Sequence, residues 1–189
     1  MVAIMLLSDV DLEAHLKRGD LVVDPLVPGA VQPASVEVHL NDRFRIFDTS
    51  AYAFIDPEVE QPGLTTMVRV PPGERFMLQP GQFVLAATQE IIGVSGAISV
   101  RLEGKSSLGR LGLLVHATAG WIDPGFEGNI TLELSNINDR PIALRPGRAI
   151  GQLCVFPLSS PARVLYGDRD GLGSRYQGQR GPTESRSWM

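Results

Sequence analysis

One cysteine, Cys154, stands in a chain of 189 residues. Without a partner it cannot form an internal disulfide, which fits a reducing compartment and excludes a disulfide framework. Nor can it supply a zinc ribbon or the cysteine cluster of the usual zinc-dependent deaminases. Histidine is nearly as scarce, and His15, His39 and His116 stand at no spacing that suggests a metal site. Positive charge is not in excess either. With 17 basic and 21 acidic side chains the net charge is -4 and the pI about 5.4. That excludes broad electrostatic binding to nucleic acid and leaves room only for a local basic pocket. The opening MVAIMLL is too short to span a bilayer and lacks the basic flank and small-residue cleavage site of a targeting segment. These absences lead us to expect a soluble, cytoplasmic protein that binds neither nucleic acid nor a membrane.

What is present is an ordinary globular composition, 43% apolar and 20% charged, in a length that suits one domain over residues 1–189. Twenty glycines and 14 prolines cut the chain into short apolar pieces, the pattern of many short strands joined by tight turns. One helix is expected, opening at Ser8 as N-cap with Asp9 and Asp11 in its first turn, Leu12 and Leu16 on one face, and Gly19 as C-terminal cap. Beyond it, strands dominate. Val36, Val38 and Leu40 alternate with Glu37, His39 and Asn41. Phe83–Leu85 and Ile98–Leu102 follow the same period. In a further strand Ile130, Leu132 and Leu134 share one face, and Thr131, Glu133 and Ser135 the other. The pieces Leu78-Gln79-Pro80-Gly81 and Leu144-Arg145-Pro146-Gly147 each read as a Pro-Gly type II turn feeding a strand, either a duplicated hairpin or a coincidence. From Leu165 the period fades into a glycine-rich tail with Arg169, Arg175, Arg180 and Arg186. That tail is either a frayed terminus or an arm that orders over an anionic ligand, since arginine forks suit phosphates.

The stretch from Arg101 to Asn136 is densest in residues able to do chemistry. Gly104-Lys105-Ser106-Ser107-Leu108-Gly109-Arg110 offers backbone N–H groups, hydroxyls and cations to a phosphate. It lacks the upstream glycine of a P-loop, and a surface turn is the plainer explanation. Gly120-Trp121-Ile122-Asp123-Pro124-Gly125-Phe126-Glu127-Gly128 is a hairpin turn on its Asp-Pro-Gly chemistry alone. Glu133 would be solvent-exposed on the polar face of the next strand, and His116 would be a hydrogen-bonded core or barrel residue.

Taken in order, G-K-S-S-L, G-W-I-D-P-G-F-E-G and G-R-A-I-G-Q-L (Gly147 to Leu153) resemble the ordered motifs of the dUTPase superfamily. The opening LLSDVDLEAHLKRGDL, Glu133 within ITLELSN and the closing SRYQGQRGP resemble the dCTP deaminase branch. The likeness runs from Leu6 to about Arg186. It implies an all-β fold with a short N-terminal helix, a distorted antiparallel β-barrel or jelly roll of the dUTPase-like type. It further implies a homotrimer with active sites between subunits, and residues 165–189 as a flexible C-terminal lid.

By the same resemblance Glu133 is the general acid/base, with Ser106 and Arg110 around the catalytic water. Lys105 and Ser107 lie in the phosphate-binding segment. Tyr166, Arg175 and Gln179 are tail residues gripping the triphosphate, and Asp123 lies under the deoxyribose 3′-hydroxyl. Thr118, Ala119, Trp121 and Gln152 complete the nucleotide-binding set. Mg²⁺ would be held by the triphosphate, no protein metal site or zinc is implied, and dTTP is an expected inhibitor. Attack at cytosine C4 needs a base for water and then an acid for N3 and the departing amine, and one glutamate can serve in turn. Burial would raise the Glu133 pKa and a nearby Arg110 would lower it.

Members that release dUTP typically carry His-Arg before I-D-P-G, whereas Gly120-Trp121 here resembles the bifunctional subgroup that cleaves dUTP to dUMP and pyrophosphate, supplying dUMP for thymidylate synthesis. The alternatives are a monofunctional dCTP deaminase releasing dUTP and ammonia, a plain dUTPase, and a catalytically silent nucleotide-binding regulator.

Overall fold

In the computed structural model, residues 5–48, 50, 52–168 and 174–189 are described; Arg169 of the tail lies outside them. The helix α1 (Asp9–Arg18) forms where Ser8 and Gly19 bracket it, with Gly19 at φ 76° donating its N–H back to the last turn. Ser8 holds the extended N-cap conformation, but its hydroxyl donates to Asp11 Oδ2 at 3.3 Å instead of accepting a helix N–H. Leu12 is fully buried, and Leu16 packs against the core beside it.

The remaining elements are strands and one helical turn. In chain order they are β1 (Leu21–Asp24), β2 (Val31–Gln32), β3 (Ser35–His39), β4 (Arg43–Phe47), β5 (Thr65–Arg69), β6 (Phe76–Leu78), β7 (Phe83–Val94) and β8 (Ile98–Gly104). The turn α2 (Ser106–Gly109) follows, then β9 (Leu113–Leu114), β10 (Trp121–Ile122), β11 (Glu127–Asn136), β12 (Ile142–Leu144) and β13 (Ala149–Pro157). All pairings among the described residues are antiparallel.

Three sheets result. The largest runs β5-β4-β7-β11-β9, with β1 added where the second half of β7 continues past β4. The second runs β10-β8-β13-β3-β2, and β12 pairs with β6 in the third. The core lies between the two large sheets. Val84, Ala86, Leu132 and Leu134 face it from one side, and Val36, Val38, Val100, Leu102, Leu153 and Val155 from the other, all at 0–1% exposure. Phe44 and Phe76 stack within it, with ring centroids 4.3 Å apart.

Both Pro-Gly turns form with glycine at positive φ, and the strands entering them, β6 and β12, pair with each other. The duplicated appearance of the two turns thus corresponds to one ribbon. The alternation around Val36 and Val38 holds, yet His39 is buried rather than solvated. Its Nδ1 lies 2.6 Å from Glu90 Oε1, and its N–H donates to Glu90 Oε2 at 2.9 Å.

Candidate active site

A cavity of about 500 Å³ opens over the face of the large sheet that points away from the core. The two-residue period of β11 aims Thr131 and Glu133 into it, while Leu132 and Leu134 point inward. Opposite Glu133 in the ladder is Leu85 of β7, which also lines the cavity. The half-buried Glu133 carboxylate accepts the Ala117 N–H at Oε2, 2.8 Å away, and the Glu133 N–H donates to Val115 O at 3.1 Å. Oε1 has no hydrogen-bond partner among the described residues, so one oxygen is held by the backbone and the other is available to the cavity.

Asp123 reaches the same space from the tight turn between β10 and β11, where its carbonyl accepts the Phe126 N–H at 3.2 Å. Gly125 in that turn has φ 94°, and a Cβ there would lie 2.6 Å from Leu165 Cβ and 2.7 Å from Tyr166 O. Only glycine lets the chain beyond β13 settle on this turn. The Tyr166 N–H then donates to Pro124 O at 2.7 Å, and the Tyr166 ring packs 5.8 Å from that of Phe126. Gly128 seats the next part of the tail, since a Cβ there would meet Gln179 O at 3.0 Å. Gly120 is equally constrained. A Cβ would stand 2.9 Å from Leu102 O and 3.3 Å from His116 Nε2, so a histidine at 120 fits only if β8 backbone or the His116 ring moves. His116 itself is half-buried, and its Nδ1 is buried without a hydrogen-bond partner among the described residues, contrary to the hydrogen-bonded role expected for it.

Of the thirteen residues singled out from sequence, six line the cavity together: Ala119, Trp121, Asp123, Glu133, Tyr166 and Gln179. The other seven do not. Ser106 and Ser107 lie on the exposed turn α2 with Arg110 as its C-cap, and none of their side chains has a hydrogen-bond or ion-pair partner among the described residues. Lys105 pairs with Glu37 of β3. Gln152, across the ladder from Glu37, accepts the Ser35 hydroxyl at 3.2 Å. Thr118 is exposed beside Ala119, and Arg175 donates to the Met189 carbonyl at 2.8 Å. Among the described residues Arg110 forms neither a hydrogen bond nor an ion pair with Glu133.

Sequence reasoning missed much of the wall. Phe47 and Phe83 line the cavity, as do Tyr176, Glu184 and Trp188 of the tail. Tyr176 stands inside the SRYQGQRGP motif, whereas Trp188 carries no signal beyond being aromatic in a polar segment. Arg45 anchors this last segment, donating to Pro182 O at 3.0 Å and to Glu184 Oε1 at 2.7 Å. Among the described residues no group of three or more His, Cys, Asp or Glu could hold a metal ion. No helix among them is long and apolar enough to cross a membrane.

Comparison with known proteins follows the same lines. A family model described as dCTP deaminase-like matches residues 6–158. The protein named "dCTP deaminase, dUMP-forming" of Salinispora arenicola is 59% identical over 185 residues, 98% of this chain and 96% of its own. Its namesake in Thermobifida fusca is 58% identical over 98% of this chain and 94% of its own. The crystal structure of 2'-deoxycytidine 5'-triphosphate deaminase from Agrobacterium tumefaciens matches with a TM-score of 0.64 at 22% identity, over 82% of this chain and 49% of that one, and so shares the fold. The ordered motifs, the strand topology and these matches agree: the chain belongs to the dCTP deaminase-like family.

Proposed function

We propose that this protein deaminates dCTP at cytosine C4 and cleaves the resulting dUTP to dUMP and pyrophosphate, supplying dUMP for thymidylate synthesis. The observation that carries this reading is that two carboxylates from different elements, Glu133 and Asp123, line one cavity together with Tyr166 and Gln179. The dUMP-forming name of relatives 59% identical over nearly the whole chain supports the second reaction.

Glu133 is the proposed acid/base. Ala117 fixes one of its oxygens; the other takes a proton from the attacking water and delivers it to N3, then takes the remaining proton from the new C4 hydroxyl and delivers it to the amine, which leaves as ammonia as the C4 carbonyl forms. The proposed task of Asp123 is to hold the deoxyribose 3′-hydroxyl and to orient the water that displaces pyrophosphate from the α-phosphorus. Mg²⁺ is proposed to arrive on the triphosphate oxygens, where it would neutralise phosphate charge; among the described residues no group of three or more His, Cys, Asp or Glu could hold it instead. Zinc has no part in the proposed deamination.

The side chains of Ser106, Ser107 and Arg110, on and beside α2, have no hydrogen-bond or ion-pair partner among the described residues and do not line the cavity. We infer that it completes the cavity of a neighbouring copy in a homotrimer, with Lys105 and Gln152 on the phosphate side. Light scattering should then give about three times the 20.5 kDa chain mass, and a monomer would end the shared-site reading. Residues 165–189 are proposed as the lid of a single domain, 1–189. Within this reading Tyr166, Arg175 and Gln179 meet the triphosphate, and Thr118, Ala119 and Trp121 border the base. Inhibition by dTTP and a cytoplasmic location belong to the same proposal.

The test is one incubation with dCTP and Mg²⁺, followed by separation of dUTP, dUMP and pyrophosphate. Stoichiometric dUMP and pyrophosphate are expected. Accumulation of dUTP alone would establish the monofunctional alternative instead.

A further inference from the structure

Asn129 is the point at which β7, β11 and the C-terminal tail are joined. It is 4% exposed and sits where the β11 register slips, so that Asn129 pairs with Ile91 and Thr131 with Ala87. Residues 88–90 of β7 have no register partner on β11, and the Ile130 N–H donates to the Thr88 hydroxyl at 2.9 Å. The Asn129 carboxamide fills the gap. Its Nδ2 shares its two N–H groups among the carbonyls of Thr88, Gln89 and Glu90, at 3.1, 3.3 and 2.9 Å.

Every other polar group of Asn129 goes to the tail. Oδ1 accepts the Gly181 N–H at 2.8 Å, the main-chain N–H donates to Gln179 O at 3.1 Å, and the main-chain carbonyl accepts Gln179 Nε2 at 2.6 Å. The Thr183 N–H continues the line, donating to Thr131 Oγ1 at 3.2 Å. A side chain that both donates and accepts is required at this position. Alanine would take the Asn129 donor from all three carbonyls and the acceptor from the Gly181 N–H; Glu90 O would keep the Thr88 hydroxyl at 2.9 Å and Thr88 O the Asn41 carboxamide at 3.5 Å, and leucine would set carbon against the whole group.

We propose that Asn129 is the positioning residue that docks the tail across the cavity, transmitting the fixed geometry of the β7 irregularity to Gly181 and so setting where Gln179 stands. The proposal rests on the reading that Gln179 contacts the nucleotide, and it adds a residue that does not itself line the cavity. Two readouts separate this role from a merely structural one. In Asn129→Ala without nucleotide, trypsin should cut after Arg180 about tenfold faster, while cutting after the exposed Arg69 on β5 stays unchanged. The KM for dCTP with Mg²⁺ should rise about tenfold, because only the fraction of molecules with a docked tail is competent to bind. At saturation the nucleotide itself holds the tail down, so kcat should stay within about threefold.

Unchanged cleavage after Arg180 would overturn the proposal. Faster cleavage with an unchanged KM would keep Asn129 as the tail anchor and instead remove Gln179 from nucleotide binding. Should Asn129→Ala fail to fold, amide exchange in the unmodified trimer or monomer decides the matter. The Gly181 N–H should be protected at least about a hundredfold relative to an open chain, and exchange at the open-chain rate would overturn the docking.

Discussion

Replacing Glu133 by glutamine isolates the proton from the shape. The carboxylate has one oxygen fixed by the Ala117 N–H at 2.8 Å and a second without a partner among the described residues. Glutamine can offer its carbonyl oxygen to Ala117, which turns the NH₂ toward the cavity. The fold then loses no hydrogen bond, and the Tm should move by no more than about 2 °C. The cavity, however, now presents a donor that cannot accept a proton from water. General base catalysis is worth about 10²- to 10⁴-fold, so deamination should fall at least about a hundredfold, equivalent to about 2.7 kcal/mol of barrier. The assay follows dCTP loss with Mg²⁺ by anion-exchange separation, with a parallel incubation on dUTP. Cleavage of added dUTP should persist, since that step is assigned to Asp123. Deamination by Glu133→Gln at near the starting rate would refute the acid/base assignment. Glu133→Ala provides the internal control: it removes the Ala117 hydrogen bond at an exposed position where water can replace it, at a cost of about 0.5–1.5 kcal/mol, and should lower the Tm by a few degrees at most.

Asp123→Asn should reduce dUMP formation from added dUTP about a hundredfold or more, measured as pyrophosphate release; a rate within threefold of the unmodified protein would remove Asp123 from the second reaction. Gly125→Ala would place a methyl 2.6 Å from Leu165 Cβ at φ 94°, and should cost about 2–4 kcal/mol, seen as a Tm drop of about 5–15 °C. Burial pushes the Cys154 thiol up, the Glu103 charge adds to this, and Arg101 partly opposes it. The folded chain therefore keeps this proton where the unfolded chain has lost it, and stability should fall as pH rises from the ordinary thiol value through the raised one. Alkylation of Cys154 at pH 8 should be about tenfold slower than in denatured protein, and equal rates would contradict the raised thiol pKa.

Much of the local structure was legible because its causes are local. Ser8 and Gly19 bracket α1, and the alternation of Ile130, Leu132 and Leu134 with Thr131, Glu133 and Ser135 describes the two faces of β11. Backbone sterics and a two-residue period act within a few residues, so a single sequence displays them. His39 shows where that logic stops. Its alternation with Val38 is right, but the face it points to is closed by Glu90, a residue 51 positions away.

The motifs by themselves determined the family and the residue types available for chemistry. Which residues share a space was decided only by tertiary packing. Glu133 and Asp123 meet at one cavity because the β10–β11 turn folds beside β11, whereas Ser106 and Arg110, equally prominent in the chain, lie on α2 away from it. The tail could be a frayed end or an arm on composition alone. Its course along β11 depends on the Asn129 carboxamide, the space above Gly125 and Gly128, and the Arg45 anchor at Glu184. Each of these contacts joins residues more than 35 positions apart, and no local propensity encodes such a pairing. The geometry of the β7–β11 register, not the composition of the tail, decides where the chain ends up.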